Sequence, residues 1–354
     1  MRAEFVHRSP SRTVHFGHDL TARVAELLDN YRYRRVYVIA SPRLKRVAKD
    51  ASQALNTRCV GSQSDAEMHV PAATVAETLE RFDESGADSV LAIGGGSPIG
   101  LAKAIALERH VPIAAVPTTY AGSEMTAIWG ITHEGVKRTG RDERVRPSTV
   151  LYDVELTADM PLTLTLTSGY NAIAHAMEAL YAPDSTPLTD VQAEEGVRRV
   201  YRAVTTLATS DESGHTEART DALIGAWFCG SVLGATTMSL HHKLCHVLGG
   251  TFGLPHAATH AVLLPYVLAF NAPAAGGMSA ALRRATGAED PAQALRDLTM
   301  KAGAPTSLRE LHMPRTGVGP AVEQACAAPY DNPRDVNAEA LHDLLDRAWR
   351  GAPQ

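Results

Sequence analysis

The chain has 354 residues, a length that suggests two domains at about 100–200 residues each. Its 34 Lys and Arg residues against 39 Asp and Glu residues give a net charge of −5, so it lacks the basic excess that nucleic-acid binding requires. A hydrophobic fraction of 45% and a charged fraction of 21% are typical of a globular protein and exclude intrinsic disorder. No run of about 18 apolar residues predicts a membrane span, and no apolar segment near the first residues predicts a secretory signal.

The four cysteines are far apart in the sequence, and none belongs to a CxxC motif. They are Cys59, Cys229, Cys245 and Cys326. This spacing favours a reduced, cytoplasmic location.

The first 157 residues alternate short apolar runs with helical stretches. Buried strands are predicted at residues 36–40, 89–93, 111–116 and 150–152, and helices at 42–55, 75–85 and 101–108. Such alternation is typical of a parallel sheet with helices on both faces. Residues 1–157 are therefore predicted to form an α/β domain.

Strand signals nearly vanish in the second part of the chain. Helices are predicted at residues 171–182, 189–207, 218–236, 240–249, 258–270, 279–285, 291–303 and 337–349. Residues 162–166 alternate like a strand but lead directly into a helical pattern, so no strand is predicted there. Residues 158–354 are therefore predicted to form an all-helical domain.

The first chemical signal is the turn Gly94-Gly95-Gly96-Ser97-Pro98, between a predicted strand and a predicted helix. Glycines allow backbone N–H groups to approach a phosphate without Cβ clashes, and the N-terminus of a helix favours an anion. Ser97 is a candidate cap of that helix. The next predicted strand ends in a second polar loop at residues 117–124, so the two loops together predict a pyrophosphate site. The alternative for the glycine turn alone is a tight connection with no ligand.

The second chemical signal is a set of polar side chains at helical spacing. Asn171 and His175 are four residues apart, as are His242 and His246, and His256 follows ten residues after His246. Four residues on a helix place both members of a pair on one face. A single histidine is more often a core residue, but the whole cluster predicts a metal or polar catalytic centre.

Several motifs resemble the iron-containing (group III) alcohol dehydrogenase family: GGGSPIGLAK, PTTYAGSE, and HxxxH followed by Pro-His. The resemblance covers nearly the whole chain and implies a dinucleotide-binding domain, a helical domain and a homodimer. Within this family, the segments HHKLCHVLGG, PTTYAGSEMT and SGYNAIAHAMEALYAP are similar to the maleylacetate reductases. That narrower resemblance implies reduction of the C=C bond of a dicarboxylate, maleylacetate, to 3-oxoadipate with NADH or NADPH, in the catabolism of aromatic compounds.

The resemblance also assigns roles to the polar cluster. Metal-dependent members hold Fe²⁺ or Zn²⁺ with one Asp and three His, and these positions correspond to Asn171, His175, His242 and His256. The family's additional active-site histidine corresponds to His246. An amide carries no negative charge, so three neutral imidazoles would face a divalent ion without compensation. We therefore expect no metal, and we expect the four histidines with Asn171 to bind the carboxylates and the developing enolate.

Cofactor preference depends on the end of the first predicted strand, at Ser41. Serine neither repels a 2′-phosphate nor requires a free hydroxyl, so we expect both NADH and NADPH to be used, although Ser41 could instead simply begin a turn. Lys137 aligns with a family lysine near the cofactor, and Tyr120 and Lys243 are secondary candidates for substrate binding. The residues predicted to bind the cofactor are Ser41, Gly94, Gly95, Gly96, Ser97, Thr118, Thr119, Ser123 and Lys137.

Three other functions are compatible with parts of this pattern. A metal-dependent alcohol or glycerol-type dehydrogenase has the same fold, but Asn171 argues against it. A phosphate-eliminating synthase of similar fold would also need a metal. A non-catalytic nucleotide-binding protein would retain the glycine turn but would not need the polar cluster.

Overall fold

The chain divides into two compact units in the computed structural model, which describes residues 5–7, 11–29, 33–133, 136–210 and 214–352. One unit is Ser9–Asp159, and the other consists of Met160–Gln354 together with Met1–Arg8. The division falls two residues after the boundary expected from the sequence. Residues 1–8 were expected to belong to the first unit, but they group with the second. His7 and Thr186 supply one contact for that grouping, 3.3 Å between Nδ1 and Oγ1.

The first unit contains a six-stranded parallel sheet and a separate antiparallel strand pair. Its elements are β1 (Thr13–Gly17), α1 (Val24–Leu27), β2 (Val36–Ala40), α2 (Lys45–Leu55), β3 (Cys59–Gln63), α3 (Ala72–Ser85), β4 (Ser89–Gly94), α4 (Gly96–Arg109), β5 (Ile113–Pro117), β6 (Ile128–His133), β7 (Val136–Arg141) and β8 (Thr149–Asp153). The sheet order is β1-β8-β5-β4-β2-β3, and β6 pairs with β7. The four predicted strands and three predicted helices of this region are all present.

Both faces of the sheet are covered, which explains why its central strands are continuously apolar. In β2, Tyr37 and Ile39 enter the core on one face, whereas Val36, Val38 and Ala40 enter the core on the other. The same alternation occurs in β4, where every residue is buried. A strand buried on both faces cannot show the polar alternation of a surface strand.

The six-stranded sheet contains two strands that the sequence analysis did not predict, β1 and β3. They lie at the two edges of the sheet, and most of their residues are only half-buried. The segments TVHFG and CVGSQ therefore carry too little apolar character for a strand prediction. The pair β6 and β7 was missed for the same reason, since β6 is half-buried along most of its length.

The second unit is helical in its described residues. Its helices are α5 (Leu162–Ala179), α6 (Pro187–Thr209), α7 (His215–Ala235), α8 (Leu240–Phe252), α9 (His256–Asn271), α10 (Gly276–Thr286), α11 (Pro291–Lys301), α12 (Val318–Cys326) and α13 (Ala338–Arg350). Each predicted helix is present, and α12 is an additional one. The predicted fold class, an α/β domain followed by an all-helical domain, is confirmed.

Helix α5 is the central helix of this unit, because α6, α7 and α9 all pack against it. Every residue from Thr165 to Ala179 is buried. The alternating segment 162–166 forms the first turns of α5 and not a strand, as the sequence analysis expected. Thr165 and Thr167 use their hydroxyl groups to donate to backbone carbonyls one turn earlier, which lets these β-branched polar residues lie inside the core.

Among the described residues, no single helix has the length and hydropathy of a membrane span. Helices α7 and α8 have that length and hydropathy only when they are taken together, and the pair is bent by 94° at the break between them.

Candidate active site

The glycine turn between β4 and α4 has the backbone geometry of a ligand-binding turn. Gly94 has φ +143°, and a Cβ there would lie 2.8 Å from Pro98 Cγ and 3.5 Å from Ser41 Oγ. A Cβ on Gly95 would lie 2.9 Å from Thr119 Oγ1. Glycine is therefore required at both positions, and the turn brings together Ser41 and Thr119, which the sequence analysis had assigned to the same site.

The position of this turn in the sheet is where parallel sheets bind nucleotides. Strand β2 lies between β3 and β4, so the chain moves to one side of β2 and then returns to the other side. The carboxyl ends of β2 and β4 flank this switch point, which is the usual place for a ligand crevice in an open α/β sheet. A Cβ on Gly96 would meet no atom within 4 Å, so the first residue of α4 borders open space.

The N-cap of α4 is Gly95, and Ser97 lies inside the first turn of the helix. The prediction that Ser97 caps α4 is therefore wrong. The reason is that Gly94 and Gly95 adopt the extended turn themselves, so the helix begins two residues earlier than the cap prediction requires. Ser97 remains half-buried in the first turn of α4, where a phosphate would lie.

Lys103 is a residue of this unit that the sequence analysis missed. It is fully buried in α4, and its Nζ donates to Ser123 O at 2.7 Å, Ile128 O at 2.8 Å and Thr126 Oγ1 at 2.9 Å. Burial lowers its pKa to about 7, whereas three acceptors around one amine favour the ammonium form. Lys103 thus holds the loop that contains Ser123, a predicted cofactor residue. A lysine within the apolar run LAKAIAL was the available signal.

The other predicted residues of this unit are placed less closely around the turn. The backbone N–H of Thr118 donates to Gly94 O at 3.2 Å, so Thr118 borders it. Tyr120 is fully buried in the same loop, which gives its predicted contact with substrate no direct support. Lys137 belongs to β7, and its side chain lies outside the described residues.

In the second unit, α5 and α8 bring two of the predicted histidines into direct contact. His175 lies on α5 and His242 on α8, and Nδ1 of His175 is 2.8 Å from Nε2 of His242. Asn171 lies one turn before His175 and is buried, and its Oδ1 has no hydrogen-bond partner among the described residues. His246 lies one turn after His242, with 6.5 Å between ring centroids.

Glu178 is the charged group of this cluster, and the sequence analysis did not select it. Its Oε2 accepts hydrogen bonds from the backbone N–H of Ser239 at 2.8 Å and from Nδ1 of His242 at 2.7 Å. Its Oε1 accepts from the backbone N–H of His241 at 2.6 Å and from the hydroxyl of Tyr181 at 3.2 Å. Burial raises the pKa of Glu178, whereas these donors favour the carboxylate. A glutamate three residues after His175 in an apolar helix was the sequence signal.

Two further buried histidines, His241 and His260, lie against this cluster and were also missed. The ring centroids of His260 lie 4.9 Å from His241, 5.1 Å from His242 and 4.4 Å from His256. Neither ring nitrogen of His260 has a hydrogen-bond partner among the described residues, although the side chain is fully buried. Burial is the main cause that lowers the pKa of His241 to about 4 and that of His242 to about 3. These imidazoles are therefore neutral near pH 7.

The remaining predicted residues of this unit lie at its surface. His246 and His256 are exposed, and Lys243 is half-buried. His256 begins α9 and is joined to the cluster through His260. Cys245 is buried, 3.9 Å from Nδ1 of His241, and burial raises the pKa of its thiol. A thiol of raised pKa is a weak nucleophile, so Cys245 is suited to packing and not to nucleophilic catalysis.

The positions that correspond to the family's metal ligands carry no anionic side chain. Asn171 supplies an uncharged amide, and Nδ1 of His175 lies 2.8 Å from Nε2 of His242. In the part of the chain that the structure describes, the metal-type side chains whose donor atoms lie within 4.8 Å of one another are His241, Cys245 and His260. That group contains none of the four positions carried over from the family. Of the four positions, His175 and His242 are the two between which the structure places a hydrogen bond.

Comparisons with known proteins identify the class to which this fold and site belong. Residues 10–154 match the family described as iron-containing alcohol dehydrogenase, and residues 165–349 match the C-terminal region of the Fe-containing alcohol dehydrogenase family. The chain belongs to the iron-containing alcohol dehydrogenase family and is an oxidoreductase, so the predicted family is confirmed.

Individual relatives narrow this class. Maleylacetate reductase of Pseudomonas knackmussii is 46% identical over 349 residues, which cover 99% of each chain. The crystal structure of maleylacetate reductase from Rhizobium sp. strain MTP-10005 has 42% sequence identity and a TM-score of 0.94 over 100% of both chains. That of maleylacetate reductase from Agrobacterium tumefaciens has 42% identity and a TM-score of 0.93 over 99% of both chains.

Proposed function

We propose that this chain reduces the C=C bond of maleylacetate to give 3-oxoadipate, with NADH or NADPH as the reductant. The observation that carries the proposal is the polar cluster itself, in which Asn171 stands where an anionic metal ligand is expected and His175 bonds directly to His242. Reduction of an enone needs donors for a developing enolate and a source of one proton. An imidazole cluster supplies both.

The cofactor is proposed to bind at the glycine turn of the first unit. When bound, the reduced nicotinamide supplies a hydride, which adds to the carbon β to the ketone. The N-terminus of α4 and the N–H groups next to Gly95 and Gly96 would hold the pyrophosphate. Ser41 Oγ lies at the edge of this turn, as its 3.5 Å distance from a Cβ built on Gly94 indicates. The uncharged hydroxyl would accept a ribose with or without a 2′-phosphate.

The substrate is proposed to bind at the histidines of the second unit. Maleylacetate carries two carboxylates, and imidazole N–H groups can donate to them. The exposed His246 and His256 are suited to contact a carboxylate that arrives from solvent. The buried His175, with the amide of Asn171 one turn earlier, is suited to the less solvated reacting atoms. Lys243 is a further candidate for a carboxylate contact.

We propose that the reaction proceeds without a metal ion. Stabilisation of the enolate is assigned to positioned N–H donors, because the donor set of Asn171, His175, His242 and His256 contains no anion. A homodimer in the cytoplasm is likewise proposed. The family resemblance supports the dimer, and the four cysteines, all free thiols, support a reducing compartment.

The test is the oxidation of NADH and of NADPH on addition of maleylacetate to the purified protein. We expect one equivalent of cofactor to be oxidised per maleylacetate and 3-oxoadipate to be the product. Simple alcohols with NAD⁺ should give no comparable rate. Alcohol oxidation without maleylacetate turnover would contradict the proposal.

A further inference from the structure

We propose that Lys103 is a positioning residue for the cofactor, and that its ammonium group holds the β5–β6 loop, residues 118–127, in the form that binds NADH. The inference rests on the proposed function and deepens it, because it names a residue that controls cofactor binding without touching the cofactor. It is carried by three hydrogen bonds from one fully buried amine, to Ser123 O at 2.7 Å, Ile128 O at 2.8 Å and Thr126 Oγ1 at 2.9 Å.

The β5–β6 loop joins the glycine turn to Lys103. At its first residues, the backbone N–H of Thr118 donates to Gly94 O at 3.2 Å, and a Cβ built on Gly95 would lie 2.9 Å from Thr119 Oγ1. At its last residues the loop is held by Lys103, about two turns along α4 from the glycine turn. The loop that carries the predicted cofactor residues is therefore fixed at both ends by α4 and the turn before it.

The three acceptors match an ammonium group and not a neutral amine. An ammonium group has three N–H donors and no lone pair, whereas a neutral amine has two donors and one lone pair. Deprotonation would leave one acceptor without a donor and direct a lone pair at it. Two of the acceptors, Ser123 O and Ile128 O, are backbone atoms, so the loop backbone itself must move to relieve this contact. Loss of one proton should therefore loosen the loop.

The surroundings of Lys103 bring this proton loss close to neutral pH. Burial is the largest cause that lowers its pKa to about 7. Among the charged groups around it, Glu124 raises the pKa, and three arginines lower it, namely Arg146, Arg12 and Arg141. The ammonium form should therefore be lost as the pH rises through about 7.

Other contacts hold the same loop from the side opposite α4. Glu124 is buried, and its Oε1 accepts from the hydroxyl of Tyr152 at 2.8 Å. Arg146 donates through one guanidinium nitrogen to Met125 O at 3.1 Å and through Nε to Glu143 Oε2 at 2.6 Å. These contacts place the loop so that the amine of Lys103 meets its three acceptors in one arrangement.

The remaining elements that pack against α4 carry their charges in other contacts or carry none. Strands β2, β4 and β5 contain no charged residue, and β6 ends in His133. On α3, Asp83 pairs with Arg109 at the opposite end of α4, 2.7 Å apart. In the turn at residues 143–145, Arg144 donates to Asp142 at 3.0 Å. A change at Lys103 leaves all of these groups in place, so it isolates the effect of the one amine.

The first test is the affinity of the whole protein for NADH, measured by fluorescence titration without substrate. NADH is used because the 2′-phosphate of NADPH itself titrates near pH 6. We expect the Kd of the wild-type protein to rise about tenfold between about pH 6 and about pH 8.5, the order expected for loss of one hydrogen bond to a charged group. Lys103→Met should raise the Kd about tenfold at about pH 6 and make it nearly independent of pH.

The matched control is Lys301→Met, the same change at an exposed residue of α11. It should leave the Kd for NADH unchanged at each pH. A wild-type Kd that does not depend on pH would overturn the proposal, and so would an unaltered pH dependence in Lys103→Met.

The second test is hydrogen exchange of the backbone amides at a single pD, which needs neither cofactor nor substrate. In Lys103→Met, peptides that cover the β5–β6 loop should exchange faster than in the wild-type protein, whereas those that cover β2 and β4 should be unchanged. Equal acceleration throughout residues 9–159 would show a general role in the core and would overturn the proposal. If the wild-type protein bound no NADH, the proposed function would fail while the control of the loop by Lys103 would still be decided.

The third test is a second variant, Thr126→Val, which keeps the test valid if Lys103→Met does not fold. It removes one of the three acceptors and leaves the two carbonyls, which a neutral amine can satisfy with its two N–H groups. The rise in Kd for NADH between about pH 6 and about pH 8.5 should therefore become smaller than in the wild-type protein. A rise of the wild-type size in Thr126→Val would overturn the proposal.

Discussion

We expect Ser41, the residue beside the glycine turn, to determine whether the site accepts a ribose with a 2′-phosphate. Its hydroxyl lies near Gly94, and the residue that directly follows β2 is therefore a serine and not an acidic residue. We expect kcat/KM values for NADH and NADPH within roughly tenfold, which is about 1.4 kcal/mol of transition-state binding. Ser41→Asp should reduce kcat/KM with NADPH far more than with NADH, because a carboxylate repels the 2′-phosphate. A preference above about a thousandfold in the wild-type enzyme would show that Ser41 is not a neutral position.

The four histidines of the cluster should separate into binding and reacting groups. Alanine at His175 or His242 should lower kcat by roughly 10²–10³-fold, since these two buried rings contact each other and are proposed to act on the reacting atoms. Alanine at the exposed His246 or His256 should mainly raise KM for the substrate, because a contact with a distant carboxylate is equal in ground and transition states. Steady-state kinetics with NADH affinity and melting temperature as controls checks this. A lower melting temperature with normal turnover of the folded fraction in all four variants would mean that the cluster is only a polar core.

At the scale of elements, the crossing of α6 and α7 depends on two glycines. A Cβ on Gly196 would lie 2.7 Å from Cys229 Sγ and 3.2 Å from Gly225 O, and a Cβ on Gly225 would lie 3.0 Å from Gly196 O. Gly196→Ala or Gly225→Ala should therefore lower the free energy of unfolding by about 1–3 kcal/mol, as overpacking of a close contact does. Urea denaturation measures the change.

The matched control for this crossing is Gly277→Ala in α10, where a Cβ would meet nothing within 4 Å. Alanine there should leave stability unchanged or raise it by up to about 1 kcal/mol. Equal effects at positions 196 and 277 would contradict the close crossing.

The elements could be predicted from the sequence where burial gives them a pattern, and not elsewhere. Strands β2 and β4 are buried on both faces and appear as apolar runs, whereas the half-exposed edge strands β1 and β3 do not. The residues of the site, like the elements, could be predicted only where the sequence shows a regular pattern. Helical spacing identified His175 and His242. The position of Glu178 in an apolar helix was a weaker signal, and its contacts with Ser239 and His242 depend on how α5 and α8 pack.

At the scale of the whole molecule, buried neutral histidines make stability depend on pH. Burial is the main cause that lowers the pKa of His241 to about 4 and of His242 to about 3, below the usual value near 6.5. Between these values the unfolded chain binds more protons at these two histidines than the folded protein does, so they lower the free energy of unfolding as the pH falls below about 6.5. Each such histidine contributes up to about 1.4 kcal/mol per pH unit. Urea denaturation between pH 7 and pH 5 tests this.

The exposed His342 supplies the control for that measurement. His342→Gln should leave the pH dependence of the free energy of unfolding unchanged, because this side chain is exposed and does not belong to the buried cluster. A free energy of unfolding that stays constant or rises between pH 7 and pH 5 would contradict the assignment of the cluster as neutral and buried.

We propose that this member of the iron-containing family reduces maleylacetate with a histidine cluster and without a metal. The most direct measurement is NADH oxidation by maleylacetate before and after exhaustive chelation, with the bound iron and zinc determined in the same samples. We expect full activity in protein that contains neither metal at stoichiometric level, since Asn171 supplies no anionic ligand and Nε2 of His242 lies 2.8 Å from Nδ1 of His175. Activity that is lost on removal of a stoichiometric ion and restored by Fe²⁺ or Zn²⁺ would contradict it.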